Sequence, residues 1–330
     1  YVLAVVLLIL ASIYSFSIFS QKVLAYQFFS SGVRLFNTSG DLSKTETKLN
    51  QAIGLDPQDR YLRTISEFYL IKMNDIVGKT NVAKEKQSMD FQKALGNSID
   101  SASAAIGINK ADSTNWAQLG RVYESLASIK IAGAYEPAIG AFREAMRLSP
   151  QDPAMPLALA RLELINGSVE EAKKQIQTSL KIKGDFVQAL YLASQIEVQQ
   201  GNLKGAISKS EQIANIAPND VGALFQLGLL YYQAKNFDGA MMVLERAVAI
   251  NPYYSNARYF LGLTYDAKNM NSQAVAQFKE ISKLNPDNQE VKTILSNLES
   301  GQNALNLVSP PAPAPEKRDT PPIEESSSKD

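Results

Sequence analysis

The sequence predicts an all-α chain, a solenoid of stacked helical repeats preceded by a transmembrane helix. Three observations carry that prediction. The first 21 residues hold no charged side chain, several registers in the middle of the chain recur every 34 residues, and the last 23 residues are rich in proline and poor in apolar side chains. A fixed period of this length is the mark of repeat architectures, in which each unit buries its apolar face only by stacking on its neighbours.

Composition narrows the function before any motif is read. The 330 residues include 33 basic and 33 acidic side chains, no histidine and no cysteine. Zero net charge supplies no overall field for nucleic acid, so no nucleic-acid partner is expected. Without histidine or cysteine there is no serine–histidine triad, no thiolate nucleophile and no zinc site of the usual kinds. The adjacent carboxylates Glu170-Glu171 and Glu324-Glu325 are poor acid–base pairs, and no GxxxxGK[ST] loop occurs. The expectation is a chain that is not an enzyme over these residues and uses no cofactor or metal.

Residues 1–21 read YVLAVVLLILASIYSFSIFSQ, with Lys22 the first charge. About 20 helical residues cross a bilayer core, and in lipid a helix satisfies its own backbone groups. Ser12, Ser15, Ser17 and Ser20 are tolerated there by bonding back to preceding carbonyls. A transmembrane helix is the leading reading. A signal peptide lacks its basic n-region and cleavage signature here, and a buried core helix is the third possibility. The chain opens on Tyr1 rather than Met, as expected of a processed chain or a piece of a longer protein. The expected setting is a bacterial cytoplasmic membrane; Lys22 and Arg34 favour a cytoplasmic C-terminal side, but without upstream loops the side stays open.

Residues 22–112 read as divergent helices of the repeat type. Ala52-Ile53-Gly54-Leu55-Asp56-Pro57 and Ala105-Ile106-Gly107-Ile108-Asn109 parallel the helix-ending Ala247-Val248-Ala249-Ile250-Asn251-Pro252. The stretch between Pro57 and Lys110 is too long for one standard unit. Two long helices are expected there, with a polar and mobile connection within residues 73–90.

The repeat is clearest from 113 to 288. Pro218, Pro252 and Pro286 are 34 residues apart, as are Leu227-Gly228 and Leu261-Gly262, Tyr231 and Tyr265, and Ala206, Ala240 and Ala274. Units are expected at 113–152, 153–186, 187–220, 221–254 and 255–288. The second and third are degenerate, with Leu159-Ala160 and Ala193-Ser194 in place of Leu-Gly. Glycine inside a helix costs roughly 1 kcal/mol against alanine, so Gly120, Gly228 and Gly262 imply close approach of the second helix, with Ala138, Ala240 and Ala274 as the facing surface. Asn166-Gly167, Gly201-Asn202, Asn236 and Asn269 suit the left-handed turn between paired helices.

The pattern Trp116-x2-Leu119-Gly120-x2-Tyr123, followed by Ala138, Phe142, Ala145 and Pro150, resembles the tetratricopeptide repeat, a 34-residue helix–turn–helix unit. Residues 224–252 repeat it from Leu224 to Pro252. The unit at 113–152 departs from the pattern by six extra residues around 128–133. The resemblance implies a right-handed α-solenoid. Residues 289–307 are expected to cap it, through Val291, Ile294, Leu295 and Leu298. Residues 308–330, VSPPAPAPEKRDTPPIEESSSKD, are expected to be a disordered proline-rich tail, since ordering them buries little apolar surface.

The same resemblance implies a groove lined by the first helix of each pair. Its candidate peptide-contacting residues here are Arg121, Arg161, Tyr191, Phe225, Leu229, Tyr232, Tyr259 and Leu263. The two arginines hold equivalent places in adjacent units and are suited to one anionic group; the others form an aromatic and aliphatic strip. The competing reading has these side chains packing against neighbouring helices or the chain's own tail. The Lys and Asn clamp of chaperone-type repeats is not seen. The leading functional expectation is a membrane-tethered scaffold that binds a protein or peptide in its concave groove. The alternatives are an accessory C-terminal region of a bacterial O-antigen ligase or polymerase-like protein, which it resembles in layout alone, and a component of envelope, secretion or pilus assembly.

Overall fold

The computed structural model describes residues 1–79, 82–306, 308, 318, 322 and 323. Among them lie fifteen α-helices and no strand. The chain forms two compact units, Tyr1–Ile182 and Lys183–Asp330.

The first unit holds α1 (Val2–Ser39), α2 (Leu42–Leu55), α3 (Asp59–Gly78), α4 (Lys84–Ile108), α5 (Ser113–Ser128), α6 (Tyr135–Leu148), α7 (Ala154–Ile165) and α8 (Val169–Ile182), packed as successive hairpins. The uncharged segment does not end a helix at Gln21. It is the first half of α1, which runs on until Gly40 takes a left-handed φ of 62°. By length and composition α1 is able to cross a membrane, and none of its most apolar 18-residue stretch is buried in the fold. Ser12 Oγ donates back to the Leu8 carbonyl at 2.8 Å. From Ala25 onward the helix joins the packed structure. Phe29 stacks on Tyr61 with ring centroids 4.3 Å apart.

Helices α3 and α4 run 20 and 25 residues. Of the connection expected to be mobile, residues 80 and 81 lie outside the described residues. Arg63 ties α3 to the start of α5, donating from Nη1 to Asp112 Oδ2 at 2.9 Å and to Asn115 Oδ1 at 2.5 Å. The six extra residues near 128–133 are divided between helix and loop. Helix α5 has 16 residues against 13 in α11, and its loop spans 129–134 against 234–236.

The second unit holds α9 (Val187–Gln199), α10 (Leu203–Ile216), α11 (Val221–Gln233), α12 (Phe237–Ile250), α13 (Ser255–Ala267), α14 (Asn271–Leu284) and α15 (Gln289–Glu299). Val291, Ile294 and Leu298 of α15 are buried in the cluster that contains Phe260 and Phe278. The turns within hairpins repeat every 34 residues, with positive φ at Gly167, Gly201, Lys235 and Asn269. At the fourth unit the left-handed residue is Lys235, not Asn236 as expected. Asn236 instead caps α12, accepting from Gly239 N at 3.1 Å.

How two helices cross within a hairpin is governed by one pair of side chains. A Cβ added at Gly120 would stand 2.7 Å from the Phe142 ring, at Gly228 2.6 Å from Leu244, and at Gly262 2.6 Å from Phe278. The glycines thus make room for a large residue. The expected partners Ala138, Ala240 and Ala274 are fully buried, but they lie one helical turn earlier on the second helix. The same repeat positions hold Ala160 with Ile176, and Ser194 with Ser210. In the latter pair two buried hydroxyls meet at 3.0 Å. In α3–α4, Ser66 and Ser98 each donate to the other's carbonyl at 2.9 Å. Gly32 of α1 faces Leu49 of α2, to which a Cβ would come within 3.2 Å.

Adjacent hairpins are joined by a second periodic contact. Tyr231 donates to Glu211 Oε1 at 2.5 Å, and 34 residues on, Tyr265 donates to Glu245 Oε1 at 2.7 Å. Burial, then the carboxylate it bonds, pushes each phenol up to about 12.

Two predictions follow from these contacts. Gly228→Ala overpacks the crossing and should destabilise by about 1–3 kcal/mol. Adding Leu244→Ala to it should cost less than the sum of the two single changes in urea unfolding, because the new methyl group enters the space vacated. Each tyrosine is held protonated more firmly in the fold than in the unfolded chain, whose ordinary value is 10.0. Its contribution is therefore complete below that value and is lost as pH rises toward 12. Replacing Tyr231 and Tyr265 by Phe should lower the urea midpoint at pH 8 and flatten its fall above pH 10.

Candidate functional site

Helix α13 presents the most elaborated surface of the second unit. Its apolar side is organised around Phe260, 2% exposed. Phe260 meets the rings of Phe225 at 5.9 Å, Tyr232 at 5.7 Å and Tyr259 at 5.4 Å. The contacts with Tyr232 and Tyr259 are edge-on, pairing positive ring edges with negative faces, and that with Phe225 is tilted. Leu263 is buried and Leu229 half-buried in the same cluster. Five of the residues expected to line a groove thus come together, but Phe225, Tyr259 and Leu263 lie inside it, supporting the surface from beneath.

The remaining candidates fall elsewhere. Tyr191, half-buried, lines a separate cleft with Gln195, Val198, Gln226 and Leu230. In the first unit Arg121 and Arg161 do line one cleft, about 550 Å³ in volume, together with Glu124 and Leu164. Glu124 Oε1 takes the Arg161 Nε–H at 2.7 Å, and Arg121 donates from Nη2 to Gln118 Oε1 at 2.6 Å. The pair of cations is therefore already part-neutralised from within the cleft.

Ile323 packs into the α13 cluster. Most of residues 308–330, expected to be disordered, lie outside the described residues. Ile323 does not, and its side chain is 1% exposed within the cluster. The side chain of Asn256, in the first turn of α13, meets its main chain at two points. Asn256 Nδ2 donates to the Ile323 carbonyl at 2.9 Å, and Asn256 Oδ1 accepts from the Ile323 amide at 3.1 Å. A carboxamide offers one donor and one acceptor, which here pair with the C=O and N–H of Ile323, so this contact recognises main chain whatever side chain it carries. Asn288 caps α15 by accepting from Val291 N at 3.0 Å, and its amide reaches the Pro322 carbonyl at 3.4 Å.

Glu290 is the charged element. Its Oε2 accepts from Arg318 Nη1 at 2.8 Å, and its Oε1 takes the same Nη1 at 3.0 Å and the Tyr259 hydroxyl at 2.5 Å. Burial pushes the Tyr259 phenol far up, the Glu290 carboxylate adds to this, and Arg318 opposes it. Tyr259 therefore stays a donor that fixes Glu290 toward the incoming cation.

Reading the sequence for groove positions misses Asn256, Asn288, Glu290, Arg318 and Ile323. The repeat gives no signal for Asn256, since Ala154, Gln188 and Gly222 at the equivalent positions share no residue type.

The tetratricopeptide repeat model matches residues 231–298, from the end of α11 to α15, which includes Asn256, Tyr259 and Glu290. Among solved structures, yeast Tom70 aligns with a TM-score of 0.53 at 15% identity, over 85% of this chain and 54% of its own. That likeness gives the α-helical repeat fold, and the chain spans about half of Tom70. YrrB, described as a TPR protein with an unusual peptide-binding site, aligns at TM-score 0.46 and 20% identity, over 57% of this chain and 94% of its own. MamA from Desulfovibrio magneticus aligns at TM-score 0.42 and 20% identity, over 52% and 97%. No curated protein matches the sequence.

Tyr259→Phe removes a hydrogen bond to a charged group and should lower stability by about 1.5–3 kcal/mol in urea unfolding. Glu290 keeps Arg318, so the fold should be retained by circular dichroism.

Proposed function

We propose that the chain is a membrane-tethered scaffold of tetratricopeptide repeats. It holds a protein or peptide partner in extended form against the face built by α11, α13 and α15. The observation that supports this most is Asn256, a buried carboxamide turned to both the N–H and the C=O of Ile323. A side chain in that role binds peptide main chain, and the apolar bed beneath it supplies burial for one anchoring side chain. Phe225, Leu229, Tyr232, Tyr259 and Leu263 act as that bed. Arg121 and Arg161 offer a carboxylate or phosphate on a partner a separate contact, in competition with Glu124. The tether is the apolar half of α1, which the fold leaves uncovered. The scaffold performs no chemistry of its own over these residues.

Peptide selection from a displayed library tests the binding reading, using a chain that ends at Val308 so that its tail does not compete. Enrichment of a consensus that Asn256→Ala abolishes, with the fold intact, is the expected result. Failure of any sequence to enrich, or equal enrichment on Asn256→Ala, would sink it. For the tether, deleting residues 1–21 should move the chain from the membrane fraction to the soluble one; retention in the membrane would contradict it. The reading frame upstream of Tyr1 separates a single-anchor scaffold from a ligase-like layout, in which further spans precede α1.

A further inference from the structure

We propose that the ligand this site selects is an arginine followed five residues later by a branched aliphatic residue that itself follows proline, and that its resident ligand is the chain's own Arg318, Pro322 and Ile323. This rests on the reading of the α13–α15 face as a peptide site and adds to it the class of peptide and the regulation of access.

Three contacts of different chemistry define the segment, and each reads a different property. Asn256 reads main chain at Ile323, at 2.9 and 3.1 Å. The apolar cluster reads the side chain, burying Ile323 to 1% exposure. Glu290 reads a cation at Arg318, with the two side chains only 23% and 16% exposed. A half-buried ion pair is discriminating, because an uncharged or acidic residue in place of Arg318 leaves the half-buried Glu290 without its cation. Tyr259 also donates to Glu290, so the carboxylate is held in place before any cation arrives. Pro322 suits the ligand because its ring fixes φ near −65°, lowering the entropy lost on binding in extended form.

Tethering gives the tail a large advantage over free peptide. A ligand joined to its site through a short span of the same chain is present at an effective concentration of about millimolar. The site is therefore closed to weak competitors and opens to a partner that carries the same pattern and binds through further contacts as well. In this arrangement the tail acts as a built-in threshold.

A fluorescent peptide of residues 316–326, titrated into the full chain in detergent micelles, tests this directly. The Ile323→Asp variant, whose tail cannot seat, should bind the peptide at least about tenfold more tightly than the wild-type chain. Adding Asn256→Ala to that variant should weaken binding again by a similar factor. Glu290→Arg in the Ile323→Asp background should lose the peptide, and a peptide with Arg318→Glu should recover it. That charge exchange keeps the test decisive even where Asn256→Ala disturbs the fold. Equal affinity for wild type and Ile323→Asp would overturn the tail as resident ligand. Failure of Ile323→Asp to bind this peptide while it binds library-selected sequences would overturn the inference and leave the peptide-binding reading standing. A concentration-dependent wild-type dimer that Ile323→Asp dissolves would place the tail on a second copy and overturn closure within one chain.

Discussion

The volume available where two helices of a hairpin cross is the constraint on which the other packing rests. It is met seven times, with different residues. Glycine admits Phe142, Leu244 or Phe278 at 2.6 to 2.7 Å from the position its Cβ would occupy, and Gly32 sits against Leu49. Ala160 stands with Ile176, and serine pairs fill Ser66–Ser98 and Ser194–Ser210. Interiors pack at crystal-like density, so a gain on one helix has to be matched by a loss on the other. The serine solutions also satisfy their own hydroxyls, which an apolar crossing does not require.

Fixing the crossing fixes which face the first helix of each hairpin turns outward. In α13 the result is that Gly262 lies against Phe278 while Phe260 meets three other rings and Asn256 faces the tail. The polar elements of the site depend on this apolar frame. Asn256 is 3% exposed and Tyr259 fully buried, so neither is free to turn away, and their partners are set by the backbone that carries them. Preorganised polar groups of this kind lose little entropy on engaging a ligand.

The repeat was legible because glycine, alanine and proline recur at a fixed spacing and each has a strong conformational reason to do so. The partner of the glycine was not, since sequence shows that space is needed but not which side chain takes it. The alanines at 138, 240 and 274 looked equally suitable, and only the crossing geometry assigns the place to the larger residue one turn later. The left-handed turn at Lys235 was hidden for a similar reason: Asn236 beside it has the better propensity, but is needed as a cap. In the candidate site, aromatic composition located the α13 face yet not its exposed chemistry. Asn256 and Glu290 are common surface residues, and their role appears only when residues 67 and 28 positions further along the chain are laid against them.

The idea that a large residue on one helix requires a small one opposite makes a sharp demand on the α9–α10 hairpin, where two serines meet. Urea unfolding of Ser210→Leu, alone and combined with Ser194→Gly, is the most direct test. The account predicts that Ser210→Leu alone is clearly destabilised, because the leucine meets the Ser194 side chain, and that the double variant recovers most of the loss by reproducing the Gly228–Leu244 arrangement. A double variant as unstable as Ser210→Leu, or a single variant as stable as the wild-type chain, would contradict it.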